Sequence, residues 1–169
     1  MTVIEELVGN FQELVSQVPE IVQPFVIMLA AAVPFIEGEV AALIGVAGGL
    51  NPVIAAVAAA LGNFICVLFV VFLSSRARTA VMDRKGSRGP AKPESKGQRK
   101  FKRWLVRFGV PGASVLGPLA IPTQFTSALL VAGGTPRGWV LLWQGVAIVL
   151  WTTASTVSMW AALTFVVGV

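Results

Sequence analysis

The chain has 169 residues, of which 56% are hydrophobic and only 12% are charged, with a net charge of +5. Because so few polar residues cannot cover the surface of a soluble fold, the composition excludes a soluble globular protein and predicts one compact membrane domain. The first twenty residues carry four glutamates and no Lys or Arg, which is unlike the basic start of a signal peptide. The single cysteine, Cys66, excludes an internal disulfide.

Residues 1–20 are predicted to form an amphipathic helix along the outer face of the membrane that holds the protein. Its polar face is acidic, which disfavours binding to anionic lipid, so we expect it to pack on its own protein or to form a dimer contact. The apolar residues recur at helical spacing and are Val3, Ile4, Leu7, Val8, Phe11, Leu14, Val15 and Val18.

Residues 21–75 are predicted to form the first repeat. The apolar stretch from Ile21 to Leu50 is longer than the ~20 residues of one bilayer crossing and shorter than the ~40 of two, so we expect a re-entrant helix-break-helix hairpin. Its interruptions are Pro24, Pro34, Glu37, Gly38 and Glu39. The unbroken apolar run from Val53 to Ser75 then predicts a transmembrane helix.

Residues 76–100 are predicted to form a basic cytoplasmic loop. All thirteen basic residues except Arg137 lie between Arg76 and Arg107, which by the positive-inside rule places this segment in the cytoplasm and both termini outside. The stretch "FKRWLVRF" that follows predicts a basic interfacial helix suited to phosphate headgroups, with Arg103 and Arg107 as candidates to bind them and Arg137 as a third. Arg107 and Arg137 could instead anchor helix ends by snorkelling.

Residues 101–169 are predicted to form the second repeat. The stretch from Arg107 to Pro136 is again too long for one crossing and predicts a second re-entrant hairpin. A transmembrane helix is expected from Trp139 to about Val167, with Trp139 and Trp160 near opposite interfaces. The interruptions of the hairpin are Pro111, Gly112, Gly117, Pro118 and Pro122.

The two halves show signs of a duplication. "VAGG" occurs at 46–49 and again at 131–134, and each copy precedes a proline turn and a full span. Units of opposite orientation whose broken helices meet near the midplane are the inverted-repeat plan of secondary transporters. The predicted fold is therefore an all-α integral membrane protein, an inverted repeat of two re-entrant helix-break-helix hairpins, each followed by a transmembrane helix, plus amphipathic interfacial helices.

Two glutamates inside the first hairpin are the candidate functional groups. A charge at the membrane centre costs ~2.5–3.5 kcal/mol or more, so we expect Glu37 and Glu39 to face a wet cavity where burial and mutual repulsion raise at least one pKa towards neutrality. A purely structural alternative is that one of them caps a half-helix beginning near Val40.

Neutral polar residues are the candidates for the rest of the cavity. At the repeat offset Glu39 corresponds to Gln124, so Thr123, Gln124 and Thr126 are predicted to line the side opposite the glutamates, although threonines also bond to their own backbone. Asn63 within the Val53 helix is predicted to be either a fastener between helices or a pathway residue.

These motifs together resemble a known family. The chain resembles the DedA or SNARE-associated (VTT) membrane proteins in the order of its motifs, and its short length is similar to that of their small multidrug export relatives. The motifs are Pro34, Gly38, Glu39, Gly48, Gly49 and Gly62, followed by "FKRWLVRFG" and "GPLAIPTQFTSALLVAGG". The resemblance implies opposed re-entrant hairpins and proton-dependent movement of lipids such as undecaprenyl phosphate, with Glu39 at the acidic position of the first hairpin. The arginines that the family carries around the second proline are replaced by Gly117, Leu119 and Gln124, which argues against a phosphate clamp there.

The sequence therefore predicts a transporter of a bacterial inner membrane that is proton-coupled through the glutamates. Its substrate would be an amphiphile, either a lipid phosphate or a small hydrophobic cation; membrane lipids, protons and a second copy of the chain are the expected partners, without nucleic acid. The alternative is a non-transporting scaffold or assembly factor that binds partners through its basic loop. No enzyme, cofactor or metal is expected, because the chain has no His and one Asp.

Overall fold

The computed structural model describes residues 3–85 and 109–167, and every regular element within these ranges is helical. Residues 109–116 form helix α5, and a single 3₁₀ turn, Gly117–Leu119, follows it. A π-helical turn, Leu163–Val167, closes the described chain. The remaining helices are α1 (Val3–Gln17), α2 (Gln23–Ala31), α3 (Glu37–Ala47), α4 (Pro52–Lys85), α6 (Thr123–Ala132) and α7 (Arg137–Ala162).

Helices α2 and α3 form the predicted helix-break-helix element. They have 9 and 11 residues, or about 14 and 16 Å of helix, so neither could cross a ~30 Å bilayer alone. The two helices pack against each other, and α1 contacts both. Val15 of α1 is fully buried, whereas Val3 and Leu14 of its predicted apolar face are exposed. Packing of α1 on its own protein is therefore confirmed for the central part of that face.

Small residues bring the helices of this element close to α4. A Cβ on Gly62 would collide with the backbone carbonyl of Met28 in α2, and a Cβ on Gly45 would lie 2.9 Å from the Cβ of Ala55. Both glycines therefore mark close helix approaches, as is common where helices pack within membranes.

Helices α4 and α7 are long and apolar enough to cross a membrane by length and composition, over Pro52–Met82 and Arg137–Phe165. Large apolar side chains cover the exposed side of α4 from Val53 to Leu73, while alanines and valines lie on its buried side. This arrangement is the reverse of that in a soluble protein and suits a helix whose outer surface faces lipid. The exposed residues of α4 include Val53, Val57, Leu61, Ile65, Phe69 and Leu73.

The chain divides into two compact units, and the boundaries fall inside the two long helices. Unit 1 comprises Met1–Cys66 and Gly145–Val169, and unit 2 comprises Val67–Gln144. The carboxylates at the first break therefore belong to unit 1, and the polar residues of the second break belong to unit 2.

The two "VAGG" copies end their helices with the same geometry. The N–H of Gly49 bonds to Val46 O (3.1 Å) and that of Leu50 to Gly45 O (3.0 Å). The equivalent bonds at the second copy are Gly134 to Val131 and Thr135 to Leu130, at 3.0 and 3.1 Å. Both sets are Schellman motifs, in which a glycine with positive φ stops the helix. This likeness supports a repeated unit, whereas the opposite orientation of the repeats stays a prediction.

Some predicted boundaries were wrong. Helix α4 continues to Lys85 rather than ending at Ser75, because nothing from Arg76 to Lys85 breaks a helix. Pro24 does not interrupt the first hairpin, because it occupies the first turn of α2, where its missing N–H costs nothing. Pro111 and Gly112 are helical as well. Most of the predicted basic loop and all of "FKRWLVRF", with Arg103 and Arg107, lie outside the described residues.

Candidate functional site at the helix breaks

The first break is a tight turn with unusual backbone conformations. After α2 the chain turns through 32–36, where Ile36 N–H and Glu37 N–H both bond to Val33 O at 3.2 and 3.1 Å. Phe35 and Glu37 have φ of 72° and 52°, in the left-handed region that side chains disfavour. Each such residue costs about 1–3 kcal/mol and persists only where its surroundings impose it, which is typical of functional sites.

The two predicted glutamates lie in the first turn of α3, but in different environments. Glu37 begins the helix and is only 5% exposed, whereas Glu39 is half-buried. The helix thus starts at Glu37 rather than near Val40. A carboxylate in a first turn is favoured by the helix dipole, which agrees in part with the capping alternative. The N-cap residue itself, Ile36, makes no side-chain cap.

Side chains from two other helices meet the start of α3. The space beside Gly38, where a Cβ would lie, is occupied by the hydroxyl of Thr152 from α7, and Nδ2 of Asn63 from α4 is 3.6 Å from the same point. Asn63 and Thr152 are both buried. The structure therefore brings Asn63 to the residue between the two glutamates, and α3, α4 and α7 converge there on a polar cluster within unit 1.

The second break is an uncharged, apolar and partly exposed turn, and buried polar residues follow it at the start of α6. It consists of the 3₁₀ turn Gly117–Leu119 and the residues before α6. Thr126 packs on this turn, with its Oγ1 3.2 Å from the position of a Cβ on Gly117. The predicted residues Thr123, Gln124 and Thr126 are all buried in unit 2. Ser127 is also buried, and its hydroxyl donates to Thr123 O at 2.7 Å, the bond to the backbone that such residues often make.

The predicted cavity shared by the two breaks stays a prediction, because Glu37, Glu39 and Asn63 belong to unit 1 and Thr123, Gln124 and Thr126 to unit 2. Within unit 1 there is an open, mainly apolar groove of about 470 Å³ between the start of α4 and the end of α7. Its lining includes Asn51, Val53, Thr153, Thr156 and Trp160.

The third candidate for headgroup binding has an aromatic neighbour. Arg137 begins α7, is exposed, and holds its guanidinium carbon 5.6 Å from the centre of the Phe72 ring, both within unit 2. A cation over a ring face is favourable, which suits the anchoring alternative. Among the described residues no group of three or more His, Cys, Asp or Glu could hold a metal ion.

Sequence reasoning missed Thr152 and Gln144 of α7. Both are buried, and neither the Thr152 hydroxyl nor the Gln144 amide has a hydrogen-bond partner in the described part of the chain. A signal was present, because Gln144, Thr152 and Thr156 recur at multiples of four residues and so share one helix face. Polar residues aligned on one side of an apolar span predict a buried face.

Neither the protein-family models nor the curated proteins nor the solved structures contain a match to this chain. The resemblance to the DedA proteins therefore stays a prediction from the motifs, and the function has to be argued from the geometry of the two breaks.

Proposed function

We propose that the protein is an integral membrane transporter that moves an amphiphilic substrate and couples this movement to protons through the glutamates of the first break. The observation that carries the proposal is Glu37, a carboxylate that is 5% exposed, has a left-handed backbone and begins a short helix within a helix-break-helix element. A carboxylate that is removed from water inside an apolar helix-break-helix element is the kind of group that proton-coupled sites use.

The surroundings of Glu37 support a membrane setting. Two helices are long and apolar enough to cross a bilayer, and large apolar side chains cover their exposed sides. Ionisable residues within such a setting are costly and are usually functional. Glu37 is the better candidate for the coupling group, because Glu39 is half-buried and so less removed from water.

The substrate follows from the resemblance rather than from the site. A lipid phosphate such as undecaprenyl phosphate and a small hydrophobic cation are both amphiphiles, and the acidic first break with a neutral second break is compatible with either. Because the start of α6, after the second break, offers buried hydroxyl and amide groups without positive charge, a phosphate would have to be held by basic residues elsewhere.

The test is transport by purified protein in liposomes under an imposed pH gradient, with undecaprenyl phosphate and a lipophilic phosphonium cation as the two probes. We expect Glu37→Gln to abolish gradient-driven movement of the transported probe without changing the elution of the folded protein. Glu20→Gln is the matched control, because Glu20 is exposed and its replacement makes the same change of charge. We expect it to transport like the wild type.

Two results would contradict the proposal. Full gradient-driven transport by Glu37→Gln would remove the coupling role, and failure of the wild type to move either probe would favour a non-transporting scaffold. In the second case, deleting residues 84–98 of the basic segment should impair cellular function more than neutralising either glutamate.

A further inference from the structure

The hydroxyl of Thr152 is a buried polar group without a hydrogen-bond partner in the described part of the chain. The residue is 1% exposed, and its Oγ1 makes no hydrogen bond. Leaving a buried hydroxyl unpaired is unfavourable, and valine has nearly the same shape without this penalty. A threonine here therefore points to a ligand or a second state of the site in which the hydroxyl is used.

The hydroxyl lies at the start of α3. Oγ1 occupies the space where a Cβ on Gly38 would lie, and Gly38 directly follows Glu37. Asn63 of α4 reaches the same point, with Nδ2 3.6 Å from it. Two neutral donors from two long helices thus adjoin the backbone that carries the buried carboxylate.

The charged groups of unit 1 are all acidic. Its segments, 1–66 and 145–169, contain no Lys, Arg, His or Asp. Besides Glu37, the titratable side chains are Glu39 on the same helix and Cys66 on α4, whose thiol donates to Ala32 O at 3.3 Å. The others are Glu5, Glu6 and Glu13 of α1 and Glu20 after it, all exposed. Within unit 1, any side chain that donates to an ionised Glu37 must therefore be neutral.

Building on the proposed function, we propose that Thr152 is a positioning residue of the proton site and that its hydroxyl donates to the Glu37 carboxylate when the proton has left. A hydrogen bond to the charged form stabilises that form, so the hydroxyl lowers the pH at which Glu37 gives up its proton. The bond links α7 to α3 only in the ionised state. The next turn of α7 carries a similar group, since the Thr156 hydroxyl donates to Thr152 O at 2.7 Å.

The experiment is an infrared titration of the full-length protein in phosphatidylcholine liposomes, following the C=O band of the protonated Glu37 carboxyl. The band is identified by its loss in Glu37→Gln. We expect Thr152→Val to move its midpoint upward by about one pH unit, the size that loss of one hydrogen bond to a charged group predicts. Thr152→Ser keeps the hydroxyl and should titrate near the wild type.

Thr156→Val is the matched control, because it removes a buried hydroxyl one turn away that already has a partner. We expect its midpoint to equal that of the wild type. If Thr152→Val does not fold, Thr152→Ala removes the same hydroxyl and carries the same expectation.

An unchanged midpoint in the variants that lack the Thr152 hydroxyl, or an equal shift in Thr156→Val, would overturn the proposal. So would a wild-type band that does not titrate between about pH 4 and 10. Because this readout needs no substrate, it can fail while transport still depends on Glu37, and the two proposals are judged separately.

Discussion

At the scale of single residues, the first break holds several features that cost stability. Phe35 and Glu37 have left-handed backbones, and a carboxylate and an unpaired hydroxyl are buried beside them. Each left-handed residue and the unpaired hydroxyl cost about 1–3 kcal/mol, and a structural turn could be built without them or the buried carboxylate. Their coincidence at one helix start is the strongest residue-level argument that the break serves a function.

Gly62 lies where α4 approaches the backbone of α2 closely, and we predict that Gly62→Ala destabilises the protein. A Cβ there would meet the backbone of Met28, which cannot move aside as a flexible side chain could. We expect the free energy of unfolding to fall by about 1–3 kcal/mol, measured by reversible unfolding in mixed micelles. Gly9→Ala is the control, because an added Cβ at Gly9 meets nothing within 4 Å and should stabilise α1. A Gly62→Ala protein as stable as the wild type would argue against this packing.

At this scale, the polar residues of the site were easier to predict from the sequence than their backbone conformations. Glu37 and Asn63 are conspicuous as polar residues within apolar runs, and both are buried at the first break. The left-handed backbone of Glu37 could not be predicted, because the adjacent Gly38 is the expected site of such a conformation. Thr152 was missed because threonine is common in apolar helices and its spacing from Gln144 and Thr156 is a weak signal, whereas its contact with Gly38 distinguishes it clearly.

At the scale of elements, the repeated Schellman motifs make a matched prediction. Gly49 and Gly134 have φ of 89° and 98°, so replacing either by alanine should cost about 1–2 kcal/mol of unfolding free energy. Gly138→Ala is the control, because Gly138 lies in the first turn of α7, where an added Cβ meets nothing within 4 Å. It should leave stability unchanged or raise it slightly.

The same micelle unfolding assay measures all three variants. A lower unfolding free energy in Gly49→Ala, without a lower one in Gly134→Ala, would show that the two helix ends are not equivalent. A larger cost at Gly134 is compatible with equivalence, because a Cβ there would also lie 3.1 Å from the guanidinium of Arg78.

The helix breaks were predictable from the sequence because proline and glycine cluster where the chain turns. Pro34 and Gly117–Leu119 lie at the observed breaks. Pro24 and Pro111 were misleading, since a proline is compatible with the first turn of a helix and only its neighbours reveal its place. The end of α4 was misplaced because basic residues mark where a membrane ends, not where a helix ends.

At the scale of the whole molecule, charge separates the two units. All thirteen basic residues lie in the sequence of unit 2, whereas six of the eight acidic residues lie in that of unit 1. Under the positive-inside rule this asymmetry predicts that the connection between α4 and α5 lies in the cytoplasm. Composition and span length predict two membrane-spanning helices with a basic connection. The side from which each hairpin enters the membrane is predicted only by the inverted repeat and has to be measured.

The most direct test of the account is the labelling of single cysteines at Asn51 and Thr135, each introduced after Cys66 is replaced by alanine. These residues follow the two equivalent helix ends, so an inverted repeat places them on opposite faces of the membrane. We expect a membrane-impermeant maleimide to label Asn51→Cys in intact cells and Thr135→Cys only after permeabilisation. Labelling of both from the same side would contradict opposed hairpins and, with them, the transport mechanism proposed here.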